Sequence, residues 1–239
     1  MKIVISIIIW IIGAVLAVFA FLVSLFSVIT LFSFDKQRKA VHVQWFWLAD
    51  AIIGLSPYWN FHVNGLENID KQKAYVIVAN HQSLADVIVI HKTRMLFKLV
   101  TKEKVYKSPL IRGFLFLGKH VKLSRGTLGH IRKFYRETTD WLNKGISVLF
   151  FPEGTRSDTG KLGKFQNGAF KIAIKEKKPI LPIFINGTRK VLPKGSWVIN
   201  AKASGDLTVF PPIDTTNFHL SDITRLKNMV YSKFESKTL

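Results

Sequence analysis

Ala74-Tyr75-Val76-Ile77-Val78-Ala79-Asn80-His81-Gln82-Ser83-Leu84-Ala85-Asp86 is the stretch on which the rest of the chain is organised. Ala74 to Val78 is an unbroken apolar run of strand length, rich in β-branched residues. From Ala79 the chain turns straight into a helix start. A His leaving the end of a buried strand is held rigidly, and a carboxylate one helical turn further on can reach back to orient it. An imidazole with a pKa near 6.5 is largely neutral at pH 7, and an Asp bonded to one ring nitrogen fixes the tautomer that leaves the other to accept a proton. His81 and Asp86 are therefore candidates for a general base and its orienting carboxylate. No protein nucleophile is needed if the substrate brings its own hydroxyl. Ser83 to Asp86 also fits an S-x-x-D capping box, in which Asp86 only finishes a helix end, and His81 alone also fits a structural histidine.

Outward from this stretch, short apolar runs alternate with amphipathic ones. Strands are expected at Leu96 to Val100, Val121 to Leu123, Ile146 to Phe151, Ile180 to Ile185 and Leu207 to Phe210. Thr127 to Lys144 is the clearest helix, with Ile131, Phe134, Tyr135, Thr138 and Leu142 on one face and Gly145 past its end. Ser108-Pro109 opens another, Leu110 to Leu117, apolar nearly all round and so either buried or dipped into lipid. A last helix starts at Ser221 with Ile223, Leu226, Val230 and Phe234 at helical spacing. This alternation indicates an α/β domain around a central sheet.

The N-terminus is of another kind. From Ile3 to Phe34 no residue is charged, well beyond the roughly 20 residues that span a hydrocarbon core as helix. Residues 1–34 are read as a membrane-embedded helix, spanning or half-inserted, and not as a cleaved signal, since the run far exceeds an h-region. Lys36, Arg38 and Lys39 follow, which by the positive-inside bias puts the downstream chain on the cytoplasmic face of the membrane. Residues 35–61 form a basic linker and an aromatic interfacial segment, Val43 to Phe61, that suits a second helix paired with the first or one lying in the headgroup layer, with a core helix of the soluble domain as the alternative. Residues 62–239 are the α/β domain.

The formal charge of +20 calls for an anionic partner. Nucleic acid has only this charge behind it, with no recognition motif. Anionic lipid headgroups, an acidic acyl carrier protein and the phosphates of CoA all fit. Lys92, Arg94, Lys98, Lys102, Lys104 and Lys107 fall together in sequence and form a candidate docking face. There is no Cys, which excludes disulfides and thiolate catalysis, and the seven His show no metal-ligand spacing, so no metal is expected.

The strand at Ile146 to Phe151 ends in Phe151-Pro152-Glu153-Gly154-Thr155-Arg156-Ser157. In an open α/β sheet, ligands bind off the carboxyl ends of strands, where both this loop and His81 fall. Pro-Glu-Gly-Thr is also ordinary turn chemistry.

Together these residues resemble the 1-acylglycerol-3-phosphate acyltransferases and their relatives among the glycerolipid acyltransferases. Asn80-His81-x4-Asp86 matches the family's N-H-x4-D motif, and Phe151 to Ser157 its F-P-E-G-T-R-S motif, in order and at similar separation. Ile180-Leu181-Pro182-Ile183 is similar to its fourth motif. The likeness runs over roughly residues 60 to 210. Gly118 to Arg125 is one residue longer than the family's second motif, with Lys122 at an apolar place, so Arg125 matches less closely.

The resemblance implies a central mixed sheet flanked by helices, no cofactor, and acyl transfer from acyl-CoA or acyl carrier protein to the sn-2 hydroxyl of lysophosphatidate, giving phosphatidate. His81 is then the base and Asp86 its orienter. Arg156, Lys102 and Arg125 hold the phosphate. Gly154 allows close backbone approach, and Glu153 and Thr155 lie in the substrate site. The same transfer to a lysophospholipid, glycerol 3-phosphate or a lyso-aminolipid is the nearest alternative. A non-catalytic membrane lipid-binding protein is another, which the retention of His81 and Asp86 disfavours.

Overall fold

The computed structural model describes residues 1–124 and 126–238. Two helices, α1 (Lys2–Thr30) and α2 (Lys39–Ile53), precede an α/β unit. That unit runs β1 (Trp59–Asn64), β2 (Val76–Ala79), α3 (Ala85–Val89), β3 (Phe97–Lys102), α4 (Pro109–Leu117), β4 (Val121–Leu123), α5 (Leu128–Asn143), β5 (Ser147–Phe150), α6 (Gly168–Lys175), β6 (Ile180–Ile185), α7 (Thr188–Val191), β7 (Ala203–Val209) and α8 (Ile223–Glu235).

The strands form one seven-stranded sheet in the order β1-β7-β6-β2-β5-β3-β4. β6, β2, β5, β3 and β4 are parallel, β7 runs antiparallel to β6, and β1 is parallel to β7. The sheet is therefore mixed. The parallel strands are buried on both faces, which is why they read as continuous apolar runs. On one face Val76, Val78, Val148 and Phe184 pack under α5, α6 and α8, with Phe134, Leu142, Phe170, Leu226, Val230 and Phe234 reaching the sheet. On the other, Tyr75, Ile77, Leu99, Leu181 and Ile183 pack with Ala85 and Val89 of α3, Val191 of α7 and Ile9 of α1.

The aromatic stretch Val43 to Phe61 divides in two. Its first part belongs to α2, and its last residues open β1, where Phe61 is buried and the Trp59 indole donates to Asn200 O (2.8 Å). The sheet thus begins at Trp59, ahead of residue 62. β7 likewise starts before Leu207, because Ala203 to Asp206 pair with β1 although three of those four residues are polar or Gly.

α1 lies along the folded unit. Near its start Ser6, fully buried, accepts a hydrogen bond from Ile199 N (2.9 Å), and the Trp10 indole donates to Trp197 O. Further along, Phe21 meets Phe114 of α4 edge to face at 5.6 Å, Ser24 donates to the Gln44 amide of α2, and Gln44 donates to Ser27. Most of its other side is apolar and open, including Ile3, Ile7, Ile11, Phe19, Phe26 and Ile29. Phe116 and Ile111 of α4 are exposed as well.

α2 is joined to the sheet by buried imidazoles. His42 lies 5.4 Å from His91 and 6.5 Å from His120, ring centre to ring centre, and 4.9 Å from Phe97. Burial is the first cause that lowers all three pKa values, His91 to about 4, with mutual repulsion adding for His42 and His120. Because the folded values lie below the unfolded 6.5, the unfolded chain binds more protons below that pH. The cluster's stabilisation is complete above about pH 6.5 and is lost as pH falls toward 4, by about 3 kcal/mol for His91 alone. The thermal midpoint in neutral detergent should fall steadily from pH 6.5 to 4.5; a flat profile would contradict the neutral cluster.

Candidate active site

β2, β5 and β3 are adjacent and parallel, so their carboxyl ends open on one edge of the sheet. β2 runs into Asn80-His81, β5 into Phe151 to Arg156, and β3 ends at Lys102. β6, on the other side of β2, runs into Asn186-Gly187-Thr188. The topology alone thus gathers chemistry-bearing residues from four loops.

Asp86 is completely buried, yet its carboxylate accepts four hydrogen bonds. Oδ2 takes His81 Nδ1–H (2.7 Å), Gln82 N–H (2.6 Å) and Ser83 N–H (2.9 Å), and Oδ1 takes the Thr188 hydroxyl. A carboxylate with no proton only accepts, so Nδ1 carries the imidazole hydrogen and Nε2 presents its lone pair. Nε2 has no hydrogen-bond partner among the described residues. Only half of the capping box forms: Ser83 N–H donates to Asp86 Oδ2, but the Ser83 hydroxyl donates to Leu192 O and accepts from Ala85 N (3.2 Å), so that side chain does not close reciprocally on Asp86 N.

The His81 ring stacks on Phe151 (4.0 Å between centres, 16° between planes) and its side chain is 17% exposed. Its main chain is fixed from both sides. His81 N donates to Glu153 Oε1 (2.8 Å), and His81 O accepts from Ser157 N (2.8 Å). Before it, the buried Asn80 amide exchanges two hydrogen bonds with Ile185 O and N, locking the β2 loop to β6.

Glu153, expected in the substrate site, uses both carboxylate oxygens inside the protein, the second accepting from Gly163 N (2.8 Å). Burial pushes its carboxyl above the usual range, against the two backbone hydrogen bonds that hold it down. It sits too close for bulk behind it, since a Cβ on Gly163 would lie 2.9 Å from Oε2. Gly154 has φ +69°, and a Cβ there would lie 3.8 Å from Lys102 Nζ, which brings Lys102 against this loop. Thr155 is exposed and Arg156 half-buried one residue before the Ser157–His81 contact. The N–H groups of Thr155 and Arg156 have no partner among the described residues. Arg125 lies outside the described residues. Lys122, at the apolar place of the second motif, projects from the edge strand β4 to pair with Glu103 (2.7 Å).

The run Lys92 to Lys107 does not form one face. Lys98 is 2% exposed and donates to Gln37 O and Gly118 O, and Arg94 pairs with Asp50, while Lys102 to Lys107 stand at the opposite end of β3. Lys98 and Lys102 are four apart and so share a face of β3, but Lys98 lies at its buried start and Lys102 at its open carboxyl end, a separation that adjacency in sequence conceals. Thr188, Asn80, Phe151 and Gly163 hold His81, Asp86 and Glu153 in place, contacts that motif reading did not assign. An Asn-Gly turn after β6 was a visible signal for a loop at 186–188, but nothing in it pointed to Asp86.

A family model described as "Acyltransferase" matches residues 60–186. Among curated proteins, a chloroplastic 1-acyl-sn-glycerol-3-phosphate acyltransferase of Brassica napus is 34% identical over 166 residues, covering 68% of this chain and 47% of that protein. One from Chlamydomonas reinhardtii is 36% identical over 166 residues, 68% of this chain and 49% of that protein. The chain thus spans about half the length of these relatives. One from Pseudomonas aeruginosa is 29% identical over 189 residues, 77% of this chain and 70% of that protein. The crystal structure of the 1-acyl-sn-glycerophosphate acyltransferase PlsC from Thermotoga maritima superposes with a TM-score of 0.83 at 27% identity, over 99% of this chain and 94% of that one.

Glu153→Gln should expose the role of the carboxylate as a clamp. An amide must turn its NH2 toward either His81 N–H or Gly163 N–H, losing one hydrogen bond and setting donor against donor, at about 1–3 kcal/mol. A fall of several degrees in the thermal midpoint is expected; an unchanged midpoint would show that the clamp carries no stability.

Proposed function

The chain belongs to the acyltransferase family, and from that premise we propose that it transfers a fatty acyl group from an acyl thioester to the sn-2 hydroxyl of lysophosphatidate, giving phosphatidate. The observation that carries this reading is the 2.7 Å bond from His81 Nδ1 to a fully buried Asp86, beside the Gly154-Thr155-Arg156 loop and Lys102. The pair supplies a base and the neighbouring cations a phosphate site.

His81 Nε2 takes the proton from the acceptor hydroxyl as its oxygen attacks the thioester carbonyl. The C–S bond then breaks, and the departing thiolate takes the proton back from the imidazolium, so an ester and a free thiol result. Asp86 stabilises the transient imidazolium and keeps its tautomer. No acyl-enzyme is required, because the thioester is already activated. Arg156 and Lys102 hold the phosphate, the one by a planar fork and the other as a point charge, with Arg125 a further candidate. The unpaired N–H groups of Thr155 and Arg156 serve the phosphate or the developing oxyanion. Glu153 acts as a positioning residue through the His81 main chain. Acyl-CoA and acyl carrier protein both carry the required thioester.

The same reading extends to the membrane. α1 is 29 residues long, about 44 Å of helix. Contacts with the α/β unit run from Ser6 to Phe21, and Ser24 and Ser27 are tied to Gln44 of α2, which favours a helix lying within one leaflet, its open apolar side in lipid together with α4, over one that leaves the protein to span. The basic linker then faces the cytoplasmic leaflet.

In detergent micelles with lysophosphatidate and acyl-CoA or acyl carrier protein, Asp86→Asn should lower kcat about 10²–10⁴-fold. Arg156→Ala should raise KM for lysophosphatidate at least tenfold and leave KM for the thioester nearly unchanged. Equal effects on both substrates would remove Arg156 from the phosphate site. Wild-type transfer to lysophosphatidylcholine at the same kcat/KM would favour a general lysophospholipid acceptor instead.

A further inference from the structure

Where the α1–α2 linker meets α4, β4 and α5, a cavity of about 590 Å³, lined by none of His81, Asp86, Lys102 or Glu153 to Arg156, opens beside the apolar side chains of Val28, Leu115, Phe116 and Trp141. Its wall also carries Arg38, Lys119 and Lys144. Of the carboxylates in it, Glu103 pairs with Lys122 and Glu137 with Lys133, which leaves Asp140 against three cations. The nearby Asp35 is engaged elsewhere, both oxygens capping the start of α2 through Lys39 N and Ala40 N.

These cations are held together at a cost. Arg38 is only 7% exposed, and its Nη1 has no hydrogen-bond partner among the described residues. Its backbone is left-handed, φ 59°, a conformation that disfavours a long side chain. Lys119 reaches Lys36 O (3.1 Å), and Lys144 lies over the Trp141 ring. Burial, then Arg38 and Lys144, lower the Lys119 pKa. For Lys98 behind them burial lowers it to about 7, with Lys119 and Arg38 opposing the pull of Asp35. Clustered cations with an unused buried guanidinium nitrogen are complementary to a phosphate.

We propose that this cavity binds the phosphate of an anionic glycerophospholipid of the surrounding leaflet, its acyl chains lying along Phe116 and Val28, as a site separate from the catalytic one. The occupant follows from position: the cations stand at the root of a hairpin whose Phe32 and Phe34 are exposed, and Phe116 is 78% exposed beside them. The inference rests on the reading that α1 and α4 lie in lipid. Such a site would seat the protein at a fixed depth and favour anionic membrane.

Native mass spectrometry in neutral detergent, with dioctanoyl phosphatidylglycerol as probe, tests this, because that lipid is neither substrate nor product of the proposed reaction. One phosphatidylglycerol should bind per chain, with dioctanoyl phosphatidylcholine and glycerol 3-phosphate binding far more weakly. K119Q/K144Q, which changes two exposed lysines, should weaken phosphatidylglycerol about thirtyfold and leave acyl transfer in neutral micelles unchanged. R38Q should weaken it as well. K175Q/K237Q removes the same charge elsewhere and should have no effect. Equal binding of phosphatidylcholine, equal loss in K175Q/K237Q, or glycerol 3-phosphate binding as tightly would each overturn the site. Binding is read without turnover, so an inactive wild type that still retained one phosphatidylglycerol would count against the catalytic reading alone.

Discussion

The Asp86 carboxylate is the constraint on which the site depends. A charge with no exposure survives in a protein interior only if its lone pairs are satisfied, and here four donors from two segments converge on it. Two are backbone groups of its own turn, one is the imidazole, and one is Thr188 from the far side of β6. The carboxylate that takes the backbone N–H groups ahead of α3 is therefore the same one that orients the His81 imidazole. Thr188 ties this turn to the neighbouring strand, so the imidazole is positioned against the sheet and not merely against its own loop.

Around that point the sheet supplies reach without flexibility. β2, β5 and β3 lie side by side, so residues more than seventy positions apart in sequence become neighbours through register alone. Glu153 closes the arrangement by gripping His81 N and Gly163 N at once, at the expense of a carboxylate held partly out of water. Phe151 gives the imidazole a flat apolar wall. Arg156 stands outside this rigid ring, on the half-exposed loop, and Lys102 lies against that loop from the end of β3.

Much of the fold was legible because fully buried parallel strands leave unbroken apolar runs: β4 and β6 begin and end where the sequence places them, and β2, β3 and β5 agree within two residues. α5 and α8 were legible from their spacing. The edge of the sheet was not. β1 hides in an aromatic stretch that composition assigns to an interface, and β7 extends through Ser204-Gly205-Asp206, which carries no strand signal and is held by its partner. The His81–Asp86 pair was readable from six residues of sequence, because both groups lie on one turn. Glu153 as a clamp, Thr188 as a donor and the burial of Lys98 were not readable, since each depends on contacts between segments far apart in the chain.

The central claim is that Asp86 holds His81 in the Nδ1–H tautomer with Nε2 open. Nitrogen-15 NMR of histidine-labelled protein in detergent, at a pH where the imidazole is neutral, reads this directly, with His81→Gln identifying the resonances. The account predicts a protonated Nδ1 and an unprotonated Nε2 in the wild type, and a mixed or reversed tautomer in Asp86→Asn. An Nε2–H tautomer in the wild type, or a tautomer unchanged by Asp86→Asn, would contradict it.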